Sequence, residues 1–126
     1  MAARIVLETD VIEVARPPLL TYGEPGSGKT SIAQTANKPL TLDFDQGLHR
    51  STFRKTGLRF DTWDEVVEFQ RGGGFNDYET IVLDTIGTLL EYMGQSIIAG
   101  NAKLGTRAGG LSLQGWGVLK TTFGNW

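Results

Sequence analysis

The chain has 126 residues, a length that suits one domain with one core. Apolar residues make up 40% and charged residues 21%, an ordinary globular balance, and the net charge of −2 leaves no global electrostatic footprint for nucleic acid. Cys is absent, which excludes disulfides and thiolate metal sites, and no apolar run approaches the roughly eighteen residues of a membrane span or the core of a secretory signal.

Arg4–Leu7 and Val11–Ala15 are short β-prone runs, and the second alternates apolar and polar residues as a half-buried strand does. Arg16-Pro17-Pro18 ends it, because proline offers no ladder N–H and restricts its predecessor. Residues 1–16 therefore read as an opening hairpin or edge strand of a single domain spanning 1–126.

Leu19-Leu20-Thr21-Tyr22 reads as a strand, and Ser31–Ala36 as a helix. Between them stands Gly23-Glu24-Pro25-Gly26-Ser27-Gly28-Lys29-Thr30, which has the form G-x-x-x-x-G-K-[ST] of a phosphate-binding loop, the Walker A motif. Glycines let backbone wrap phosphate oxygens where a side chain would collide, and successive N–H groups then make an anion nest. Lys29 can reach β- and γ-phosphates, the Thr30 hydroxyl can ligate Mg²⁺, and Ser31 opens the helix whose positive end faces the anion.

Asn37-Lys38-Pro39 stops that helix, and Leu40–Phe44 reads as a strand leading into Asp45-Gln46-Gly47. Alternation puts Asp43 and Asp45 on one face at the strand's carboxyl end, where open α/β sheets bind ligands; turn formation is the competing role for such residues. Residues 48–56 are cationic, with His49, Arg50, Arg54 and Lys55, and read as a solvated basic loop; His49 has no ligand-spaced partner for a metal. Leu58–Phe60 reads as a short strand, and Thr62-Trp63-Asp64-Glu65 as a capping box opening a helix over 63–70. Gly72-Gly73-Gly74 reads as a flexible connection.

Tyr78–Thr85 reads as a buried strand ending in Asp84, the form of a Walker B element whose carboxylate holds Mg²⁺ directly or through water. Ile86, Leu89, Leu90, Met93, Ile97 and Ile98 recur at helical steps, giving a helix over 86–99. Residues 100–113 are Gly-rich and polar and read as a mobile loop carrying Lys103 and Arg107. Trp116, Leu119, Phe123 and Trp126 share a helical stripe, expected in the core.

With both Walker elements placed, the chain resembles the RecA-like P-loop ATPases, and more narrowly the phage-associated ATP-binding proteins of the AAA/RecA superfamily that act in recombination and single-strand annealing. The resemblance covers about residues 16–126. It implies an α/β fold with a mostly parallel sheet flanked by helices, and ATP and Mg²⁺ as cofactors. Gly23–Ser31 would hold nucleotide, Thr30 and Asp84 the metal, and Lys29 and Asp45 would be catalytic. Leu42–Asp45 resembles the family strand whose end orients the attacking water, where the family normally has Glu and this chain has the shorter Asp45. Residues 100–113 occupy the place of a DNA-contacting loop, so Lys103 and Arg107 become DNA-contacting candidates and single-stranded DNA a partner, in a bacterial or phage-infected cytoplasm. The family strand between the two Walker strands comes later in sequence than the element where this chain stops. The expectation is a RecA-like core incomplete at its C-terminus that is poorly stable, homo-oligomeric or completed by another polypeptide.

Two other readings stand beside this one. Asp84-Thr85-Ile86-Gly87 fits the D-x-x-G form of GTPases, although no Asn-Lys-x-Asp guanine-reading element follows. A non-catalytic reading, a nucleotide-gated interaction module or an inactive nucleotide-binding fragment, accommodates both Asp45 and the early stop.

Overall fold

The computed structural model describes Leu7, Thr9 and residues 18–126; apart from Leu7, the strands expected over 4–7 and 11–15 lie outside the described residues. Three parallel strands, β1 (Pro39–Asp43), β2 (Gly57–Leu58) and β3 (Thr80–Asp84), form a sheet in the order β2-β1-β3. Four helices accompany it: α1 (Lys29–Ala33), α2 (Trp63–Arg71), α3 (Ile86–Gly100) and α4 (Leu113–Asn125). The fold is α/β, a parallel sheet flanked by helices. Among the described residues no helix is long and apolar enough to cross a membrane.

β1 is central, and all five of its residues are buried, as expected for a parallel strand covered on both faces. Leu40 and Leu42 join Phe44, Phe60, Trp63, Val66, Leu89, Met93 and Leu119 in the main core, which α2, α3 and α4 complete. Each such buried aliphatic side chain is worth about 1.5–3 kcal/mol. The alternate residue Thr41 accepts a hydrogen bond from the fully buried Gln34 amide, whose oxygen in turn accepts Lys55 N–H at 3.1 Å. Gln34, just past the end of α1, thus ties that helix to β1 and to the segment leading into β2. This anchor matters because α1 itself buries no residue.

Helix boundaries follow their caps. At α2 the Thr62 hydroxyl accepts Glu65 N–H at 3.3 Å, the first half of the expected capping box, whereas the Glu65 carboxylate reaches one residue further back and accepts Asp61 N–H at 2.8 Å. α4 starts where Ser112 accepts Gly115 N–H at 3.1 Å. Its far end is held by Trp126, which packs edge-on against Trp63 and donates its indole N–H to Gln70 at 2.6 Å.

Four expectations are corrected. Residues 18–23 form no strand, and Leu19 and Tyr22 are 86% and 91% exposed. β-propensity acts only through a neighbouring strand, and among the described residues β3 is an edge with no strand beyond it. The triple glycine is a packed turn: Phe69 lies over Gly74, where a Cβ would stand 2.4 Å from the ring. The stretch after α3 is also built, with a 3-10 turn at Ala102–Leu104 and a Gly105–Leu111 bridge closed by Thr106 N–H to Gly110 O at 2.8 Å. Trp116 is 56% exposed, because the first turn of α4 turns Gly115 rather than Trp116 inward.

Gly115 explains that choice. A Cβ there would lie 2.3 Å from the Leu104 carbonyl oxygen, whereas one at Gly117, two residues on, would meet nothing within 4 Å. Gly115→Ala should therefore destabilise the fold by about 1–3 kcal/mol through overpacking. Gly117→Ala should raise stability by up to about 1 kcal/mol through helix propensity. Urea denaturation of the two variants checks the opposite signs.

Candidate nucleotide site

The phosphate-loop sequence folds as a bend over Glu24–Gly28 that runs into α1. Ser27 N–H donates to Glu24 O at 3.2 Å and closes the turn. Gly26 and Gly28 hold φ of +79° and +89°, the left-handed region where a side chain is strained, so glycine is required at both. The helix begins earlier than the sequence indicates, at Lys29, and ends at Ala33.

The structure brings Thr30 and Asp84 together. The Thr30 hydroxyl donates to Asp84 Oδ2 at 2.6 Å across 54 residues of sequence. β3 delivers Asp84 to the carboxyl edge of the sheet in register with Asp43 of β1. Lys29 folds back onto its own loop, its ammonium donating to Gly23 O at 2.8 Å and Glu24 O at 2.7 Å. Ser31 faces the other way: its hydroxyl lies 3.4 Å from Ser51 Oγ and accepts Thr52 N–H.

Asp43 and Asp45 part company. Asp43 is 2% exposed and accepts Gly47 N–H at 2.9 Å and Leu48 N–H at 3.1 Å, so it holds the turn after β1 and does not reach the loop. Asp45 is exposed beside Asp84: Phe44 and Asp45 N–H both point at the Asp84 carbonyl, at 2.8 and 3.4 Å. Its carboxylate accepts the Thr85 hydroxyl at 2.8 Å and also the Thr88 hydroxyl. Thr85 occupies the N-cap position of α3 yet makes no side-chain bond to that helix. Asp45 thus stands as the anion at the start of α3, where the helix dipole favours it. Sequence reading found Asp45 but not Thr88. The available signal was hydroxyl spacing: residues 85 and 88 at N-cap and N3 lie on one side of a first helical turn.

Lys103 and Arg107 are not brought to this site. Both are exposed and follow the far end of α3, whose fifteen residues span about 22 Å. Arg107 sits in the turn closed by Gly109 N–H to Thr106 O at 3.0 Å.

The oxygen donors at the site fit a hard divalent cation. One hydroxyl and one half-buried carboxylate leave the other positions to phosphate oxygens and water, which is how Mg²⁺ is commonly held beside nucleotides. Among the described residues no group of three or more His, Cys, Asp or Glu gathers as an all-protein metal cage.

The two aspartates should separate in a stability assay. Asp43→Ala removes a carboxylate bonded to two N–H groups at a buried turn and should cost about 2–4 kcal/mol. Asp45→Ala, at an exposed helix start, should cost less than about 1 kcal/mol. Chemical denaturation of both variants tests the ordering.

In comparisons with known proteins, the family model described as AAA domain matches residues 16–126. No curated protein and no solved structure matches the chain. The match takes in the phosphate loop and every strand and helix of the described residues, and by it the chain belongs to the AAA domain family, a family of nucleotide-binding ATPases.

Proposed function

We propose that the chain binds ATP with Mg²⁺ and hydrolyses it, in phage-type DNA recombination or single-strand annealing. The observation that carries the nucleotide reading is the 2.6 Å bond from Thr30 to Asp84, which joins the end of the phosphate loop to the end of β3. In this reading, backbone N–H groups from Gly23 to Ser31 surround the phosphates. Ser31 contributes its main chain, since its hydroxyl is engaged with residues 51 and 52.

Lys29 then exchanges two neutral carbonyl acceptors for phosphate oxygens. The ammonium makes both sets of bonds charge-assisted, but anionic phosphate oxygens add an ion–ion attraction that neutral carbonyls lack, so the exchange favours the bound state. Thr30 and Asp84 would hold Mg²⁺, which when bound neutralises charge on the β- and γ-phosphates. Asp45 orients the attacking water. Each of its oxygens accepts one hydroxyl, and a carboxylate oxygen has a second lone pair for water.

The recombination part rests on the resemblance of both Walker elements to the phage-associated proteins, with Lys103 and Arg107 as proposed phosphate contacts. Among the described residues β3 is an edge of the sheet, which supports a further proposal, that another strand, from a second copy or a different polypeptide, pairs there. One observation favours a second reading, a nucleotide-gated module without turnover. Asp45 is held by two threonine hydroxyls at the start of α3, a structural duty that needs no water activation. The GTPase reading gains nothing comparable: Gly87 lies within the first turn of α3.

Lys29→Ala should weaken binding of a fluorescent ATP analogue on the order of 10²-fold or more, by removing a charged phosphate contact. Asp45→Asn should leave that affinity within about threefold while lowering kcat about 10²-fold. Unchanged analogue affinity in Lys29→Ala would refute the nucleotide assignment. A wild-type protein that binds ATP but releases no phosphate would select the gated module. Competition by GTP measures base preference in the same assay.

A further inference from the structure

Between Asp45 and Asp61 the chain has no acidic residue and four permanent cations, Arg50, Arg54, Lys55 and Arg59, although its net charge is −2. The sequence alone gives a solvated basic loop. The structure gathers part of it. His49, Arg54 and Arg59 line one cleft of about 130 Å³ with Asp43, Leu48 and Gly57, at the carboxyl edge of the β2–β1 side of the sheet. Among the described residues none of these four cations has an ion pair or a side-chain hydrogen bond; the ion pair there is Lys38–Glu79, elsewhere. Asp43, the one carboxylate in the cleft, is 2% exposed and already engaged by Gly47 and Leu48 N–H. Phe53, between Arg50 and Arg54 in sequence, is 59% exposed, a large apolar ring left in water.

We propose that the segment 49–59 is a binding surface for single-stranded nucleic acid, in which Arg54 and Arg59 take backbone phosphates and Phe53 stacks on an unpaired base. The chemistry selects this occupant. Guanidinium forks match phosphate oxygens bidentately, and three of the four cations are Arg. An exposed aromatic beside a cationic track is the means by which proteins hold single strands without reading sequence, because every base has a π-face. A duplex hides those faces, and an acidic peptide gains nothing from a stacking ring. The segment is also fastened rather than loose. Thr52 and Lys55 N–H donate to side chains of Ser31 and Gln34, in and just after α1, so the surface is built onto the helix that follows the phosphate loop. It is separate from Lys103 and Arg107, which lie beyond the far end of α3.

The test is fluorescence anisotropy of a labelled twenty-nucleotide oligothymidylate with the full chain across a salt series, beside a duplex of equal length. The wild type should bind the single strand more tightly than the duplex. Arg54→Ala with Arg59→Ala should weaken binding at least about tenfold and flatten the log–log salt dependence by about 1.4, two phosphate contacts' worth. Phe53→Ala should weaken single-strand binding about tenfold with the salt slope unchanged, and Phe53→Trp should restore it. Circular dichroism, and affinity for the fluorescent ATP analogue unchanged within about twofold, would show that these surface variants fold and keep the nucleotide site. The proposal is overturned if the wild type does not bind the oligonucleotide, if duplex binds as well as single strand, or if only Lys103→Ala with Arg107→Ala removes binding. Loss of ATP binding in Lys29→Ala with these effects intact would leave both proposals standing, whereas failure of either assay alone strikes only its own.

Discussion

The arrangement depends on one constraint: two parallel strands must deliver their carboxyl ends to the same edge in register. β1 and β3 pair residue for residue from Pro39 and Thr80 to Asp43 and Asp84. That register sets Asp84 within 2.6 Å of the Thr30 hydroxyl and places Asp45, just past β1, beside it. A slip of one residue would turn Asp84 to the other face of the sheet and break the connection to the loop. Leu83 of β3, packed against the main core, resists such a slip, since it would turn away from that core with it.

The helices serve this edge in different ways. α3 starts directly after Asp84-Thr85, and its first turn holds Asp45 through two hydroxyls. α1 has no apolar anchor and relies on polar ones, Thr30 to Asp84 at one end and Gln34 to Thr41 and Lys55 at the other. A buried amide with both ends satisfied is costly to disturb, because each group would be left desolvated without a partner. The loop that wraps phosphate is thus joined to the sheet by directional bonds.

Much of this was legible in the sequence because it rests on local rules. β1, β3, α2 and α3 appear within one or two residues of their patterns, as alternation, helical recurrence and the Thr62 cap dictate, and α4 forms over the stripe from Trp116 to Phe123. The Walker spacing located the loop, and a β-prone run ending in Asp located its partner. What sequence missed was non-local. Whether Leu19–Tyr22 pairs depends on a neighbour strand, not on its own residues. Asp43 and Asp45 look alike in sequence, and only the turn at Gly47 and Leu48 makes one structural. Gln34 reads as a polar residue near a helix end, and its burial follows from where β1 passes. The order of residues 101–112 arises from the Gly105–Leu111 bridge, which no composition rule reveals.

The most direct measurement is a crystal structure of the chain with a non-hydrolysable ATP analogue and Mn²⁺ in place of Mg²⁺, with the metal located by anomalous scattering. The account predicts one peak at about 2.1–2.3 Å from Thr30 Oγ1, next to Asp84, with the Lys29 ammonium moved from the Gly23 and Glu24 carbonyls onto phosphate oxygens. A metal bound elsewhere, or Lys29 still on those carbonyls with nucleotide present, would contradict it.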